Sequence, residues 1–180
     1  MKNFLRSYFT MLIAMFSFLY TPSVNAQRAQ PEAYVVEGKT KITFYYDANR
    51  ASRKGKVWSI TDTRVATDEN EGDNEEENAT RAAAENKPRI PAWAGTESDA
   101  KDDITQVVFD ASFKNYRPTS TKQWFFHLAG IEKIKGLENL NTEEVTNMSE
   151  MFLGGEGFET LDLQNFNTSK VTNMSGMFKG

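Results

Sequence analysis

Cysteine is absent from the 180 residues of this chain. Its absence excludes disulfide staples, thiolate metal sites, a cysteine nucleophile and a lipid-bearing N-terminal cysteine. Histidine is nearly absent as well: His127 is the only one, it follows an aromatic cluster, and no Ser/His/Asp arrangement can be read around it. A packed or surface role is expected for it. Long apolar runs are limited to Tyr8–Tyr20, which is too short for a comfortable membrane span. Lys2 and Arg6 precede that run, and Pro22 and Ser23 lead into Val24-Asn25-Ala26, small residues suited to signal peptidase. Residues 1–26 therefore read as a signal peptide cleaved after Ala26, with the protein exported to the cell surface or secreted. No integral membrane segment is expected in the mature chain. Removing residues 1–26 from 180 leaves 154, and the loss of Lys2 and Arg6 moves the net charge from −4 to −6. That acidity argues against nucleic acid as a partner. Export without cysteine fits a bacterial protein stabilised by packing.

Residues 27–103 read as a β-rich N-terminal region. Lys41-Ile-Thr-Phe-Tyr-Tyr-Asp47 alternates faces, and Val57-Trp-Ser-Ile60 follows after the polar, basic DANRASRKGK, so a hairpin is expected. Its loop residues Arg50, Arg53, Lys54 and Lys56 suit either an acidic partner or plain solubility. From about 61 to 88 an acidic loop is expected to be disordered, because DENEGDNEEE carries seven carboxylates in ten residues and has no apolar periodicity. Asp68, Asn70 and Asp73 come near a calcium-loop pattern. Gly72 stands one place too early and no bidentate Glu follows at the required distance, so no metal site is expected. Ile90, Pro91 and Trp93 mark the return of order, and Ile104–Phe109 reads as a third strand.

The segment from 104 to 180 writes one pattern twice. NTEEVTNMSEMFLG at 141–154 and NTSKVTNMSGMFKG at 167–180 agree at ten of fourteen positions, with an offset of 26. Such a period marks units that bury their apolar faces against one another. On a helical wheel Val145, Met148, Ser149 and Phe152 fall within roughly 60°, with Met151 on the flank, which predicts a short helix. Asn141 and Thr142, with Asn167, Thr168 and Ser169, suit its N-cap. The exchanged pairs Glu143/Ser169, Glu150/Gly176 and Leu153/Lys179 gather at roughly 80–160° on the same wheel, the side turned to solvent. Those six are the candidate binding positions. The fourth exchange, Glu144/Lys170, falls in the entry turn. Thr146, Asn147, Thr172 and Asn173 are unchanged although off the stripe, and are expected to hydrogen-bond to adjacent coils. Ile134, Leu137 and Leu140, and later Leu161, Leu163 and Phe166, read as short extended segments before each cap. Trp124 and Phe125, 27 residues before Met151 and Phe152, mark a degenerate first unit. Gly154, Gly155 and Gly157 read as turn residues, and the four Asn-x-Ser/Thr triplets as incidental.

KITFYYDANRASRKGKVW, DITQVVFDASFKNYRPTSTKQWFF, GLENLNTEEVTNMSEMF and LDLQNFNTSKVTNMSGMFKG together resemble the N-terminal region and first repeats of the BspA-like leucine-rich-repeat surface proteins of bacteria. The resemblance covers most of the mature chain. Two departures stand out. Gly154-Gly155-Glu156-Gly157 and His127-Leu-Ala-Gly130 replace the Gly-Cys and serine run usual in that family, and the chain stops at Gly180 inside a unit. The stop predicts a fragment of a longer repeat protein, the alternative being an end covered by dimerisation. The expected class is α+β: the β-rich region leading into a leucine-rich-repeat-like solenoid of strand/turn/short-helix units of about 26 residues. The resemblance implies a surface binding or adhesion module that holds a protein or glycan ligand on host or neighbouring cells. No catalytic residue, metal or cofactor is expected. The alternatives are a structural cap or spacer of a longer surface assembly, and a secreted hydrolase.

Overall fold

The computed structural model describes residues 29–66, 88–158 and 160–180. The expected signal peptide and the DENEGDNEEE run lie outside the described residues. Among the described residues there are seven strands: β1 (Glu32–Glu37), β2 (Lys41–Asp47), β3 (Lys56–Ser59), β4 (Thr63–Val65), β5 (Arg89–Pro91), β6 (Gln106–Phe109) and β7 (Lys133–Lys135). Five of them form one mixed sheet in the order β3-β1-β2-β6-β7, antiparallel from β3 to β2 and parallel from β2 to β7. β4 and β5 make a separate antiparallel pair, so part of the segment expected to be a disordered loop is ordered.

β2 falls where its alternation places it, but the expected hairpin does not form. β1 lies between the two runs and pairs with both, Val35 opposite Phe44 on one side and Trp58 on the other. The DANRASRKGK connection therefore spans a strand, with a 3-10 turn at Arg50–Ser52 shortening it.

β2 is central, and its inward residues anchor the core. Phe44 is fully buried and lies within ring contact of Phe109, Trp124, Trp93, Phe113 and Phe125, at centroid distances from 4.7 to 6.1 Å. These rings come from β2, β6, a 3-10 turn at Ala111–Asn115, the 92–101 loop and the first repeat unit. One aromatic cluster thus joins the sheet to the repeats.

The expected α+β class and its leucine-rich-repeat-like solenoid are corrected by this structure. It is β-rich, and the described residues contain no α-helix, only strands, turns and three short 3-10 segments. Hydrogen bonding explains the failure of the helical reading. Within each unit the i→i+3 bonds occur at every second residue, as in Met151 N to Met148 O and Leu153 N to Glu150 O. The intervening N–H groups point sideways: Thr121, Gln123, Phe125 and His127 donate to the carbonyls of Asn147, Ser149, Met151 and Leu153 at 2.8–3.1 Å. Met148, Glu150, Phe152 and Gly154 repeat this towards Asn173, Ser175, Met177 and Lys179 at 2.8–2.9 Å. A donor committed to a neighbouring coil is unavailable to the carbonyl four residues back. Isolated parallel bridges Ser120–Asn147–Asn173 mark the same alignment. The apolar stripe itself is buried as the wheel placed it, with Val145, Met148, Met151 and Phe152 at most 3% exposed. Leu161, Leu163 and Phe166 are half-buried and form no strand.

The 92–101 loop is fastened to the sheet by one largely buried ion pair. Lys101 Nζ lies 2.6 Å from Glu37 Oε1, and the Trp58 indole N–H donates to Glu37 Oε2 at 2.9 Å. Burial alone pushes the Glu37 carboxyl up, but the hydrogen bonds from Lys101 and Trp58 and the Lys101 charge outweigh it and hold its pKa below the ordinary 4.5. A depressed folded-state pKa contributes stability that is present above the unfolded value and is lost as pH falls through the folded one. Unfolding free energy should therefore decline as pH drops below about 4.5, and Lys101→Met should flatten that part of the profile while costing about 1.5–3 kcal/mol at neutral pH. Urea titrations of both proteins at pH 3–7 measure this. An unchanged acid slope in Lys101→Met would count against the assignment.

Candidate binding surface

The exchanged positions divide into two groups. Glu150, Leu153 and Lys179 line one open groove of about 490 Å³ together with Phe126, His127 and Glu156. Gly176 stands against the same wall, since a Cβ there would lie 3.3 Å from Glu150 Cγ and 3.8 Å from Leu153 Cδ1. Glu143 and Ser169 do not line the groove. Glu143 is exposed, 3.7 Å from Arg117 Nε, and both residues have their N–H bound to the side chain of an asparagine two places earlier. The helical wheel had put all six on one side.

Gly176 has a cause that the wheel did not supply. Gln123, Glu150 and Gly176 occupy the same place in successive units and share φ values of 60°, 56° and 63°. The backbone is left-handed at that point of every unit, where glycine is at ease and other residues pay roughly 1–2 kcal/mol. The Glu-to-Gly exchange between copies was a readable signal of this. Gln123 Nε2 also donates to Glu150 Oε2 at 2.7 Å, so the side chains at this position stack from coil to coil. His127 and Gly154 form a second such pair, with φ of 47° and 71°, and the imidazole rests over Gly154, whose Cβ would overlap it. Edge-on contact with Phe126 at 4.5 Å completes the setting of the single histidine.

The unchanged polar residues hold the units together. Thr146 Oγ1 donates to Thr119 O at 3.2 Å and Thr172 Oγ1 to Thr146 O at 3.1 Å, across adjacent coils as expected. The asparagines act within their own coil instead: Asn147 Oδ1 accepts from Ser149 N and Oγ, and Asn173 Oδ1 from Ser175 N. Asn141 caps the N–H of Glu143 in the same way, though no helix follows. Such local side-chain bonds compete with helix formation. Lys170 Nζ lies 2.6 Å from Glu144 Oε1, so the entry-turn exchange places opposite charges side by side. Thr121, buried where later units have Met148 and Met174, keeps a hydroxyl without a hydrogen-bond partner.

The basic loop is partly consumed internally. Arg53 donates to Asp47 at 2.6 Å and to the Tyr34 hydroxyl at 2.9 Å and lies 3.8 Å over the Tyr45 ring, while Arg50 pairs with Glu32 at 3.1 Å. Burial and the hydrogen bond to Asp47 push the Tyr34 hydroxyl up to about 12. It stays protonated and ties β1 to the end of β2 by donating to Asp47 Oδ1 at 2.6 Å. Only Lys54 and Lys56 remain as outward cations of that loop. Among the described residues no group of three or more His, Asp or Glu side chains could hold a metal ion.

Fold and surface define a β-rich chain whose C-terminal units are short turn segments laid side by side in parallel. Residues 119–180, less than half of the chain, match a family model described as Mycoplasma protein of unknown function, DUF285. The match begins at Thr119, the first residue to accept a bond from the following unit. No curated protein and no solved structure matches the chain. Among the described residues no helix is long and apolar enough to cross a membrane.

Proposed function

We propose that the chain is an exported binding or adhesion module, without enzymatic activity, whose partner is a protein or glycan on host or neighbouring cells. The observation that supports this reading is the groove at Glu150, Leu153 and Lys179. Positions that differ between copies meet there beside Phe126 and His127, while the shared apolar residues Met148, Met151 and Phe152 are spent on packing. A surface whose residues can change without disturbing the interior can be adapted to a partner. The acidic sequence and the resemblance to BspA-like surface proteins support the same reading and speak against nucleic acid. The test is a binding screen of the chain against immobilised matrix proteins and glycans, with hydrolase assays in parallel. Saturable binding, weakened at least fivefold by Lys179→Glu or Glu150→Ala, is the expected result. Turnover without saturable binding would sink the proposal in favour of a hydrolase, and neither activity would leave a structural cap or spacer.

A further inference from the structure

Two of the chain's three tryptophans use their indole N–H inside the protein: Trp58 donates to Glu37 Oε2 and Trp93 to Trp124 O, both at 2.9 Å. The third does not. Trp124 is only 5% exposed, and its N–H, the one polar atom of its side chain, has no acceptor among the described residues. A buried indole N–H ordinarily finds a partner. Packing alone does not require a donor here, because the equivalent places in the next two units are filled by Met151 and Met177, which carry none and are also buried. Nor is the N–H sealed in: among the described residues the enclosed side-chain polar atom without a partner is the Thr121 hydroxyl. Trp124 lines an open cleft of about 290 Å³ between the first unit and the β4–β5 pair, and the unused donor belongs to that cleft.

The other polar groups of the cleft are held in place but not used up. Arg89 gives Nε and Nη2 to the Thr63 side chain and carbonyl at 2.8 and 2.9 Å, which fixes the guanidinium and leaves Nη1 uncommitted. Lys122, from the first unit, has no carboxylate partner among the described residues. Two acceptors stand among these donors. Asp62 accepts from Ser59 N on Oδ2 at 2.6 Å and keeps Oδ1, while Gln123, its amide N–H given to Glu150 at 2.7 Å, keeps its carbonyl oxygen. Tyr116 adds ring surface to that of Trp124.

This set of groups selects its ligand. Two cations suit an anionic group such as a carboxylate. A bare anion such as phosphate offers no hydrogen to Asp62 or Gln123 and is repelled by the former. A ligand with hydroxyls beside its carboxylate answers every group at once. The volume, small for a ligand site, admits one ring, and the open mouth lets a chain leave it. We propose that this cleft holds a sugar acid, a pyranose ring bearing a carboxylate, at the end of a glycan. Arg89 and Lys122 hold the carboxylate; Asp62, Gln123 and the Trp124 N–H hold the hydroxyls; Tyr116 meets the apolar face of the ring. The proposal does not rest on the adhesion reading, whose groove at Glu150 and Lys179 is lined by other residues.

Proton–nitrogen correlation NMR of the labelled intact chain tests it, since the indole signal of Trp124 is assigned by its loss in Trp124→Phe. Titration with methyl β-D-glucuronide and methyl α-N-acetylneuraminide should move that signal saturably with at least one of the two, while the Trp58 indole stays. Methyl β-D-glucoside, which lacks the carboxylate, and sodium phosphate should bind at least tenfold more weakly. Arg89→Gln and Lys122→Gln, both on exposed side chains and so compatible with folding, should each weaken binding at least fivefold. Lys170→Gln, outside the cleft, should leave it unchanged. No saturable shift with either glycoside, equal binding of the glucoside or of phosphate, or unaltered binding by Lys122→Gln overturns the proposal. Binding of free glucuronate or N-acetylneuraminate without binding of their glycosides overturns the glycan end as the source.

Discussion

Phe44→Ala is expected to destabilise the chain by about 3–5 kcal/mol, the range for emptying a fully buried aromatic site. The upper half of that range is favoured by the surroundings. Phe44 touches five other rings, stacked on Phe109 at 4.7 Å and on Trp124 at 5.3 Å, and edge-on to Trp93 at 5.7 Å. Those rings are locked into different elements and have little freedom to collapse into the space left behind. Each lost ring contact adds to the area term. Equilibrium urea unfolding followed by tryptophan fluorescence measures the effect, since Trp93 and Trp124 border the site. Phe178→Ala is the control: with that ring 59% exposed, the change should stay within about 0.5 kcal/mol. If both substitutions cost the same, the core does not centre on Phe44. The consequence reaches beyond the sheet, because the Phe44 cluster includes Trp124 and Phe125 of the first repeat unit. Loss of the ring should therefore loosen the repeats and the sheet in a single transition.

Why Phe44 and the repeat stripe were legible while the backbone of the repeat was not follows from what each depends on. Burial depends on apolar character and position. Alternation in Lys41–Asp47 placed β2, and the shared Val145, Met148, Met151 and Phe152 marked the inside of a unit without any knowledge of its dihedral angles. The direction of each N–H is another matter. Whether Phe125 N bonds back along its own chain or across to Met151 O depends on a neighbouring coil 26 residues away, which a local window does not contain. Glu143 and Ser169 were separated from Glu150 and Gly176 for the same reason: the wheel assumed 100° per residue, and a left-handed residue at every unit breaks that count. The clue was Gly176 opposite Glu150. β1 escaped notice because Glu32-Ala-Tyr-Val-Val-Glu is short and its adjacent Tyr34, Val35 and Val36 break strict alternation, so the hairpin between β2 and β3 looked local when it is bridged by a third strand.

Gly95→Val should cost about 2–3 kcal/mol, by an overpacking mechanism that no side-chain rearrangement relieves. A Cβ at Gly95 would overlap the carbonyl oxygen of His127 and lie 3.1 Å from the carbonyl oxygen of Asp99. Both obstacles are backbone, so either the 92–101 loop or the first repeat unit must move. Movement breaks the bonds that close this end of the repeats: Gly95 N to Phe126 O at 2.9 Å, Lys101 N to His127 O at 3.0 Å and the Trp93 indole to Trp124 O at 2.9 Å. The Trp124 carbonyl so released belongs to a buried residue packed against Trp93, where an unmet polar group is costly. Hydrogen exchange separates this local opening from global unfolding. Protection should fall first at Gly95 and Lys101, while Met148, Glu150 and Phe152, bonded to the far coil, keep theirs until the whole chain unfolds. Gly95→Ala should show the same order with a smaller loss. Stability within about 0.5 kcal/mol of the parent for Gly95→Val would sink the claim that this close approach is rigid. The close approach matters because the same loop caps the first unit, the N–H groups of Gly95 and Lys101 holding the carbonyls of Phe126 and His127.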